Sequence, residues 1–452
     1  MAEALDGTPP TVYLHIGAPK SGTTFLQGVL WNNTAALAEA GVLLPGGSFA
    51  AQVRGMRDLR GLEPEPGEPD ADWHGAWDGL AAEVRASSAR VAVISSEVIS
   101  AVDPAGAARA VASLAPCEVH LVYSARDIAG LLPSEWQEYV KHRFHYDFDL
   151  WLREVVDGPR DQGAAEWFWK VHDIPEVIGR WAPHVPPERV HVLTVPRSGA
   201  PRDLLWRRFA ALVGIDPDVA DLSDVRSNAS LSHTETELLR KINNAVGEEA
   251  PMWLYHRYVT NLFALEVLPG KGVPGRVGLP PARAEWAGKK AHELVEHIRA
   301  AGYDVAGDLD ELLPPDTGGA APAEPAAADI ADAAAAGIVG LLDRIGALER
   351  EIEELRERNA GQRRELDALV EEMHRQRAEQ QQTPLPKLMA RELSERNPAV
   401  WKMRVGYWHL VERLRGVEQP DEDAPREEGP EGAEAAPEPP PVPVLSRRGD
   451  PR

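Results

Sequence analysis

Six residues near the beginning of the chain have side chains or backbone amides suited to binding an anion. They are Gly17, Lys20, Ser21, Gly22, Thr23 and Thr24, within the stretch HIGAPKSGTTFLQ. The two glycines keep the spacing of the Walker pattern, G-x-x-x-x-G-K-[ST], but Thr23 stands where that pattern has its lysine. The lysine lies inside the loop instead, at Lys20. This arrangement predicts a phosphate-binding loop whose cation meets a different part of its ligand.

An apolar run precedes this loop and a helical pattern follows it, which predicts a strand, a turn and the N-terminus of a helix. Backbone N–H groups and the helix dipole at such an N-terminus attract anions. The hydroxyls of Thr23 and Thr24 add donors, and Lys20 adds a mobile positive charge. A glycine turn can also serve only to start a helix, but the concentration of phosphate-binding groups here favours an anion site.

Arg126 and Ser134 form a second candidate pair. Arg126 follows the apolar run VHLVYSA, which predicts a strand, and Ser134 lies eight residues later on the predicted next helix. A guanidinium can donate two parallel N–H bonds to phosphate oxygens, which suits a dianionic phosphate. The alternative for Arg126 is a surface ion pair with Asp127 or Glu135.

The elements that must position these residues are those of an α/β fold. Over residues 1–314, apolar runs alternate with longer helical patterns, which is typical of a parallel sheet flanked by helices. The predicted strands cover residues 11–17, 91–97, 119–125 and 190–195, and two predicted helices cover 23–41 and 202–214. Because such sheets bind ligands at the carboxyl ends of their strands, we expect the loop and Arg126 to share one edge.

The loop APKSGTTFLQ resembles the 5′-phosphosulfate loop of sulfotransferases that use 3′-phosphoadenosine 5′-phosphosulfate (PAPS). Arg126 and Ser134 resemble that family's pair for the 3′-phosphate, and the resemblance covers residues 11–314. It implies a P-loop-type fold, PAPS as nucleotide sulfate donor, and sulfuryl transfer to a hydroxyl or amine of a carbohydrate, lipid or secondary metabolite. Lys20 would then stabilise the charge that develops on the oxygen bridging phosphorus and sulfur. No metal is expected, since Lys20 and the loop N–H groups supply positive charge.

Sulfuryl transfer to an alcohol needs a base, and Glu97 is the first candidate. It ends the predicted strand VAVISSE, on the same sheet edge as the loop. This arrangement resembles that of carbohydrate sulfotransferases, which use a glutamate at a comparable strand end. His142 and His145 are the alternatives, because many cytosolic members of the family use histidine. Glu97 could also cap a helix or pair with Arg126.

Two other functions compete with this interpretation. An ATP- or GTP-using P-loop enzyme would share the loop, but the chain lacks a lysine after Gly22 and a convincing Walker B strand. A catalytically degenerate sulfotransferase fold could serve as an adaptor whose working parts lie in the C-terminal third. The intact Lys20, Thr23, Arg126 and Ser134 argue against loss of donor binding.

Beyond residue 314 the chain divides into four regions that differ in composition and hydrophobic pattern. Residues 315–336, rich in Ala, Gly and Pro, predict a flexible linker, and residues 337–380 predict a coiled coil. Residues 385–416 are basic and aromatic, which indicates either a small helical hairpin or a peripheral membrane or partner-binding helix. Residues 417–452 form an acidic, proline-rich tail with the composition of disordered segments.

The coiled-coil prediction rests on a heptad pattern. Positions a are Ile338, Ile345, Ile352, Asn359, Leu366 and Met373, and positions d are Leu341, Leu348, Leu355, Gln362 and Leu369. Isoleucine at a with leucine at d favours two parallel strands, and a buried asparagine at a selects register and strand number. The pattern predicts a homodimer; a lone amphipathic helix packed on the globular part is the alternative.

Composition narrows the class of protein further. The formal net charge of −23 argues against nucleic acid as a partner. The single cysteine, Cys117, excludes an internal disulfide framework and fits a reducing compartment. The first ten residues resemble no signal peptide and no apolar run is long enough to span a membrane, so we expect a cytoplasmic protein. The bias towards Ala, Arg, Pro and Gly is typical of GC-rich bacterial genomes.

Overall fold

Short apolar runs build a six-stranded parallel sheet in the computed structural model of the chain, which describes residues 9–64, 67–68, 72–223, 231–247, 249–314 and 324–382. The strands are β1 Thr11–Gly17, β2 Val42–Leu43, β3 Val91–Ser95, β4 Val119–Ala125, β5 Val190–Thr194 and β6 Asp304–Ala306. Their order across the sheet is β2-β3-β1-β4-β5-β6, and every pair is parallel. The predicted α/β class with a parallel sheet flanked by helices is therefore confirmed.

Fourteen α-helices accompany the sheet in the described residues. They are α1 Thr23–Asn32, α2 Thr34–Glu39, α3 Phe49–Leu59, α4 Ala76–Ala86, α5 Pro104–Leu114, α6 Ile128–Lys141, α7 Phe148–Asp157, α8 Gly163–His172, α9 Ile174–Gly179, α10 Leu204–Val213, α11 His233–Val246, α12 Met252–Tyr255, α13 Pro281–Ala301 and α14 Ala327–Gln382. A π-helix, His256–Val267, continues α12, and short 3₁₀ helices cover Glu97–Ala101, Pro187–Arg189, Pro217–Val219 and Leu309–Leu312.

The central strand β1 shows how the sheet separates two cores. Val12, Leu14 and Ile16 are fully buried in the cluster on one face. Tyr13 packs against the cluster on the opposite face, which α1 and α10 cover. Alternate side chains of a strand point to opposite faces, so a strand with both faces covered reads as a nearly continuous apolar run.

Strand β1 also brings its two neighbours together at their carboxyl ends. The N–H of Ser96, just after β3, donates to the carbonyl of His15 at 3.0 Å. The N–H of Ala18, just after β1, donates to the carbonyl of Ser124 in β4 at 2.9 Å. The segments that follow β1, β3 and β4 therefore leave the sheet side by side.

The structure differs from the predicted elements in two respects. The single helix predicted over 23–41 is divided into α1 and α2 at Asn33, whose side-chain amide donates to the carbonyls of Val29 and Asp221 at 2.8 and 2.9 Å. Such side-chain bonds to the backbone offer an alternative to the helical pattern. The outer strands β2 and β6 were not predicted, because two and three residues are too short to show a period.

The first turns of the long helix α14 pack against the π-helix. Ala333 is fully buried in the helical cluster that also contains Phe263 and Val267. A Cβ at Gly337 would lie 3.1 Å from the Phe263 ring, and a Cβ at Gly340 would lie 2.8 Å from Val267. Small residues therefore allow this close approach.

This packing differs from the predicted linker of residues 315–336. Residues 327–336 form the beginning of α14, while residues 315–323 lie outside the described part of the chain. Alanine has the highest helix propensity, so an alanine-rich stretch becomes helical where a neighbouring surface accepts its small side chains.

The chain divides into two compact units, Met1–Glu351 and Ile352–Arg452. Helix α14 covers all predicted heptads; Leu341 packs against the helical cluster, and most other apolar positions of the seam face solvent. Ile338, Ile345, Ile352, Leu355, Leu366, Leu369 and Met373 are between 45% and 63% exposed. A single chain does not test helix pairing, so the coiled coil stays a prediction.

The predictions for residues 385–416 and 417–452 fall outside the described residues. Among the helices that the structure does describe, none combines the length and the apolar character needed to cross a bilayer.

Candidate functional site

The loop between β1 and α1 depends on its two glycines. Gly17 and Gly22 have φ angles of 129° and 77°, in the region that favours glycine. A Cβ at Gly17 would lie 2.7 Å from the backbone oxygen of Glu97, and a Cβ at Gly22 would collide with the side chain of Leu205. The glycines thus let the loop lie directly against the segment after β3 and against α10.

Lys20 occupies an unusual backbone conformation within this loop. Its φ is 54°, which costs a non-glycine residue roughly 1–2 kcal/mol. Strain of this kind persists where the surrounding structure holds it, and it concentrates at functional sites. Its half-buried side chain leaves the loop as a charged group close to the sheet edge.

The other predicted loop residues divide into two kinds. Ser21 and Thr23 are buried, and the Ser21 hydroxyl donates to the carbonyl of Pro19 at 3.3 Å, so Ser21 serves the loop itself. Thr24 is exposed. The first N–H groups of a helix have no intrahelical acceptor, and at α1, whose N-cap is Gly22, no described side chain caps them.

Arg126 and Ser134 meet, as the motif predicts, and they meet at the loop. The Nη1 of Arg126 donates to the carbonyl of Lys20 at 3.3 Å and to the Ser134 Oγ at 3.4 Å. The alternative ion pair is present as well, with Arg126 Nε 3.8 Å from the Asp127 carboxylate. Asp127 also accepts the N–H of Gly130 at 2.6 Å and so caps α6, the helix that carries Ser134.

Glu97 begins a 3₁₀ helix just after β3 rather than ending the strand. Its half-buried carboxylate accepts a hydrogen bond from the Gln27 amide of α1 at 2.7 Å. The backbone of Glu97 contacts Gly17, as described above, so this residue does lie beside the loop. The structure thus places Glu97 at the edge that carries Lys20 and Arg126.

Glu138 is the residue of the site that the sequence did not reveal. Its Oε2 accepts hydrogen bonds from the ammonium groups of Lys20 at 3.0 Å and Lys141 at 3.2 Å. Its Oε1 lies 3.6 Å from Nε2 of His142. Burial alone would raise the pKa of Glu138, but the neighbouring imidazole and the two ammonium groups hold it well below its usual range.

A signal for Glu138 does exist in the sequence. Ser134, Glu138 and His142 follow each other at intervals of four residues, so Ser134 and Glu138 share one face of α6 and His142 follows at its end. Lys141 completes the same stripe. A carboxylate one turn beyond Ser134 could therefore have been expected near Lys20.

The two histidines proposed as alternative bases occupy different surroundings. His142 belongs to the Glu138 cluster, and its ring meets the ring of His256 edge-on, with centroids 5.1 Å apart. Burial lowers the pKa of His256 to about 4, and the charges around His142 and Arg143 add to this effect. His145 is exposed and packs against Tyr146. Of these two histidines, His142 is therefore the one that lies next to Glu138, the carboxylate that accepts a hydrogen bond from Lys20.

The buried side chain of His15 in β1 connects this strand to its neighbours β3 and β4. Its Nδ1 lies 2.8 Å from the Ser95 Oγ of β3, and its Nε2 lies 2.9 Å from the Ser124 Oγ of β4. The ring is fully buried, which lowers the pKa of His15 to about 4, so the imidazole is neutral at pH 7. Because β3 and β4 lead to Glu97 and Arg126, this buried bridge sets the spacing between them.

Comparison with known proteins adds little to this geometry. No protein-family model matches the chain, and no curated protein matches its sequence. One similar solved structure is a sulfotransferase from Alicyclobacillus acidocaldarius, with 15% identity and a TM-score of 0.31. The match covers 54% of this chain and 98% of the other.

Proposed function

We propose that this chain is a sulfotransferase that moves a sulfuryl group from PAPS to a hydroxyl or amine of a carbohydrate, lipid or secondary metabolite. The observation that supports this most is the contact of the Arg126 guanidinium with both the Lys20 carbonyl and Ser134. It joins the two motifs that resemble the donor-binding elements of that family into one site. They are 106 residues apart in the chain.

The donor would bind along the carboxyl edge of the sheet. The uncapped N-terminus of α1, with Gly22, Thr23 and Thr24, is suited to the 5′-phosphosulfate group. Arg126 and Ser134 are suited to the 3′-phosphate, because a guanidinium and a hydroxyl can donate together to its oxygens. No metal is part of this proposal, since Lys20 supplies a positive charge within the loop.

In the transfer step the acceptor oxygen or nitrogen forms a bond to sulfur while the bond from sulfur to the bridging oxygen breaks. The electron pair of that bond stays on the bridging oxygen, and Lys20 stabilises the charge. The acceptor's proton passes to Glu97, which lies beside the loop at the start of the 3₁₀ helix that follows β3. His142 is the alternative proton acceptor, through its place next to Glu138.

Isothermal calorimetry with adenosine 3′,5′-bisphosphate tests donor binding directly. We expect the intact chain to bind this nucleotide, the product that PAPS leaves after transfer, without magnesium. We expect Arg126→Ala to weaken binding by at least about tenfold, since a charge-assisted hydrogen bond is worth roughly 1.5–3 kcal/mol. The turnover at saturating donor should change less, because the 3′-phosphate is remote from sulfur.

The matched control is Arg283→Ala, which removes a half-buried guanidinium paired with the exposed Asp157 and should leave the affinity unchanged. Preference for ATP with magnesium over the bisphosphate would favour the nucleotide-hydrolysing alternative instead. A turnover defect in Arg126→Ala that persists at saturating donor would contradict the division of roles.

A homodimer through α14 is a second proposal, carried by the exposed seam. The occupant that fits this surface is a second copy of the same helix, since Glu351 and Arg356 attract each other across a parallel, in-register pair. Arg344 instead pairs with Glu266 of its own chain at 3.3 Å, so the intermolecular contact would start after it. Asn359 can bond its symmetry mate in that register.

Multi-angle light scattering of the intact chain should therefore give the mass of a dimer at micromolar concentration. Asn359→Ile should raise the melting temperature and admit other oligomers, because the polar layer selects two strands at a cost in stability. A monomer in the intact chain would contradict the proposal, and a dimer that survives truncation after Pro314 would place the interface elsewhere.

A further inference from the structure

Two ammonium groups share one carboxylate oxygen at the edge of the candidate site. Lys20 and Lys141 both donate to Oε2 of Glu138, at 3.0 and 3.2 Å. Like charges this close repel each other, and the charge of Lys20 adds to burial in lowering the pKa of Lys141. The Glu138 and Glu135 carboxylates offset this repulsion at Lys141, and an anion that drew Lys20 away would reduce it further.

The two lysines differ in how easily they can leave Glu138. The side chain of Lys141 is 7% exposed, whereas that of Lys20 is 27% exposed. Lys141 also lies three residues from Glu138 at the end of the same helix, so the pair is local. Lys20 comes from the loop and reaches across to α6. Lys20 is therefore the partner that can move, and Lys141 is the one that stays.

We infer that Glu138 is a positioning residue that holds Lys20 when no donor is bound and competes with the donor for it. This inference rests on the proposed function, in which Lys20 binds the oxygen bridging phosphate and sulfate. An ammonium group has three N–H donors but a single positive charge, so Glu138 and a bound anion compete for it. Donor binding must therefore draw Lys20 away from the Glu138 carboxylate.

The remaining contacts explain why this exchange costs little. When Lys20 turns towards the donor, Glu138 keeps its hydrogen bond to Lys141 and its neighbour His142. A buried carboxylate left without any partner would be strongly destabilising. Lys141 thus acts as the reserve counter-ion of Glu138, which gives a function to an otherwise unexplained buried lysine. Glu138 thus holds Lys20 in one position, and Lys20 can still leave Glu138 to bind the donor.

The sign of the effect on donor affinity tests this competition. Glu138→Gln keeps the shape of the side chain and removes its charge. We expect it to bind adenosine 3′,5′-bisphosphate about tenfold more tightly than the parent chain, a change of about 1.4 kcal/mol. A residue with a merely structural role would leave the affinity unchanged or weaken it. Glu138→Asp, which keeps the charge, should lie close to the parent.

Two further variants isolate the part played by Lys20. In the Lys20→Ala background, Glu138→Gln should no longer tighten binding, since the two side chains act through one contact. Asp157→Asn changes the net charge by the same amount at an exposed carboxylate that pairs with Arg283, and it should leave the affinity unchanged. Equal gains from Asp157→Asn and Glu138→Gln would mean that overall charge, not the Lys20 contact, is responsible.

The experiment separates failure of this inference from failure of the proposed function. If the parent chain binds the bisphosphate and Glu138→Gln binds it equally or more weakly, the competition is overturned and the function stands. If neither protein binds, both are overturned. A donor-free readout guards against a misfolded variant: the Lys20 amine should react faster with limiting acetic anhydride in Glu138→Gln, by peptide mass spectrometry. If the rate of acetylation at Lys20 is the same in both proteins, the inference loses its basis.

Discussion

Replacing Lys20 with alanine should reduce turnover with labelled PAPS by at least about tenfold. A charge-assisted bond to the leaving group contributes on the order of 2–4 kcal/mol to the transition state, so the loss could extend to about a thousandfold. The fold should tolerate the change. The backbone of residue 20 is left-handed, with φ at 54°, and alanine meets the same cost there as lysine. Glu138 keeps Lys141 as its partner.

The controls for this variant address charge and shape separately. Lys289→Ala removes an exposed lysine that pairs with Glu285 on α13, and its turnover should equal that of the parent. Lys20→Arg keeps the charge but replaces a compact ammonium with a planar fork, so partial recovery is expected. Turnover of Lys20→Ala equal to that of the parent would end the assignment of Lys20 to the leaving group.

Replacing Glu97 with glutamine should abolish most of the turnover while leaving donor binding intact. General base catalysis contributes about 10²–10⁴-fold, and an amide cannot accept the acceptor's proton. The glutamine oxygen can still accept the hydrogen bond that Gln27 now donates at 2.7 Å, so the local structure is preserved. Initial rates with labelled PAPS, together with calorimetry on adenosine 3′,5′-bisphosphate, measure the two effects independently.

His142→Ala is the decisive companion to Glu97→Gln. His142 lies next to Glu138, and the removal of its imidazole leaves the Gln27–Glu97 hydrogen bond untouched. We expect a smaller loss of turnover than in Glu97→Gln. The opposite ranking, with Glu97→Gln active and His142→Ala inactive, would identify the histidine as the base.

Local patterns predicted the framework of the fold because β1 and β4 are long, buried runs. Strands 11–17 and 119–125 were predicted with the bounds that the structure shows. The short strands β2 and β6 were not predicted, because two and three residues are too few to show the hydrophobic period of a strand. The end of β3 was also misplaced: Glu97 begins a 3₁₀ helix, because backbone pairing with β1 stops at Ser95.

The candidate site was partly predictable for a related reason. Lys20, Arg126 and Ser134 belong to motifs in which residues at fixed spacing follow a strand, so their meeting point could be expected from a parallel sheet. Spacing from Ser134 places Glu138 on one face of α6, but its contact with Lys20, 118 positions away in the chain, depends on tertiary packing. That contact exists because α6 runs back across the loop after β4.

The sequence by itself determined the α/β class, the glycine-bearing loop after β1, the paired arginine and serine, and the heptads of α14. These features depend on interactions between residues close in the chain, whose types and periods can be read directly. Tertiary structure decided the rest. Packing of β1 between β3 and β4 buried His15 between two serines and lowered its pKa to about 4. Packing of α6 beside the loop placed one carboxylate between two lysines. Such contacts form only when distant segments are brought into the low-dielectric interior, where burial and neighbouring charges set how each group behaves.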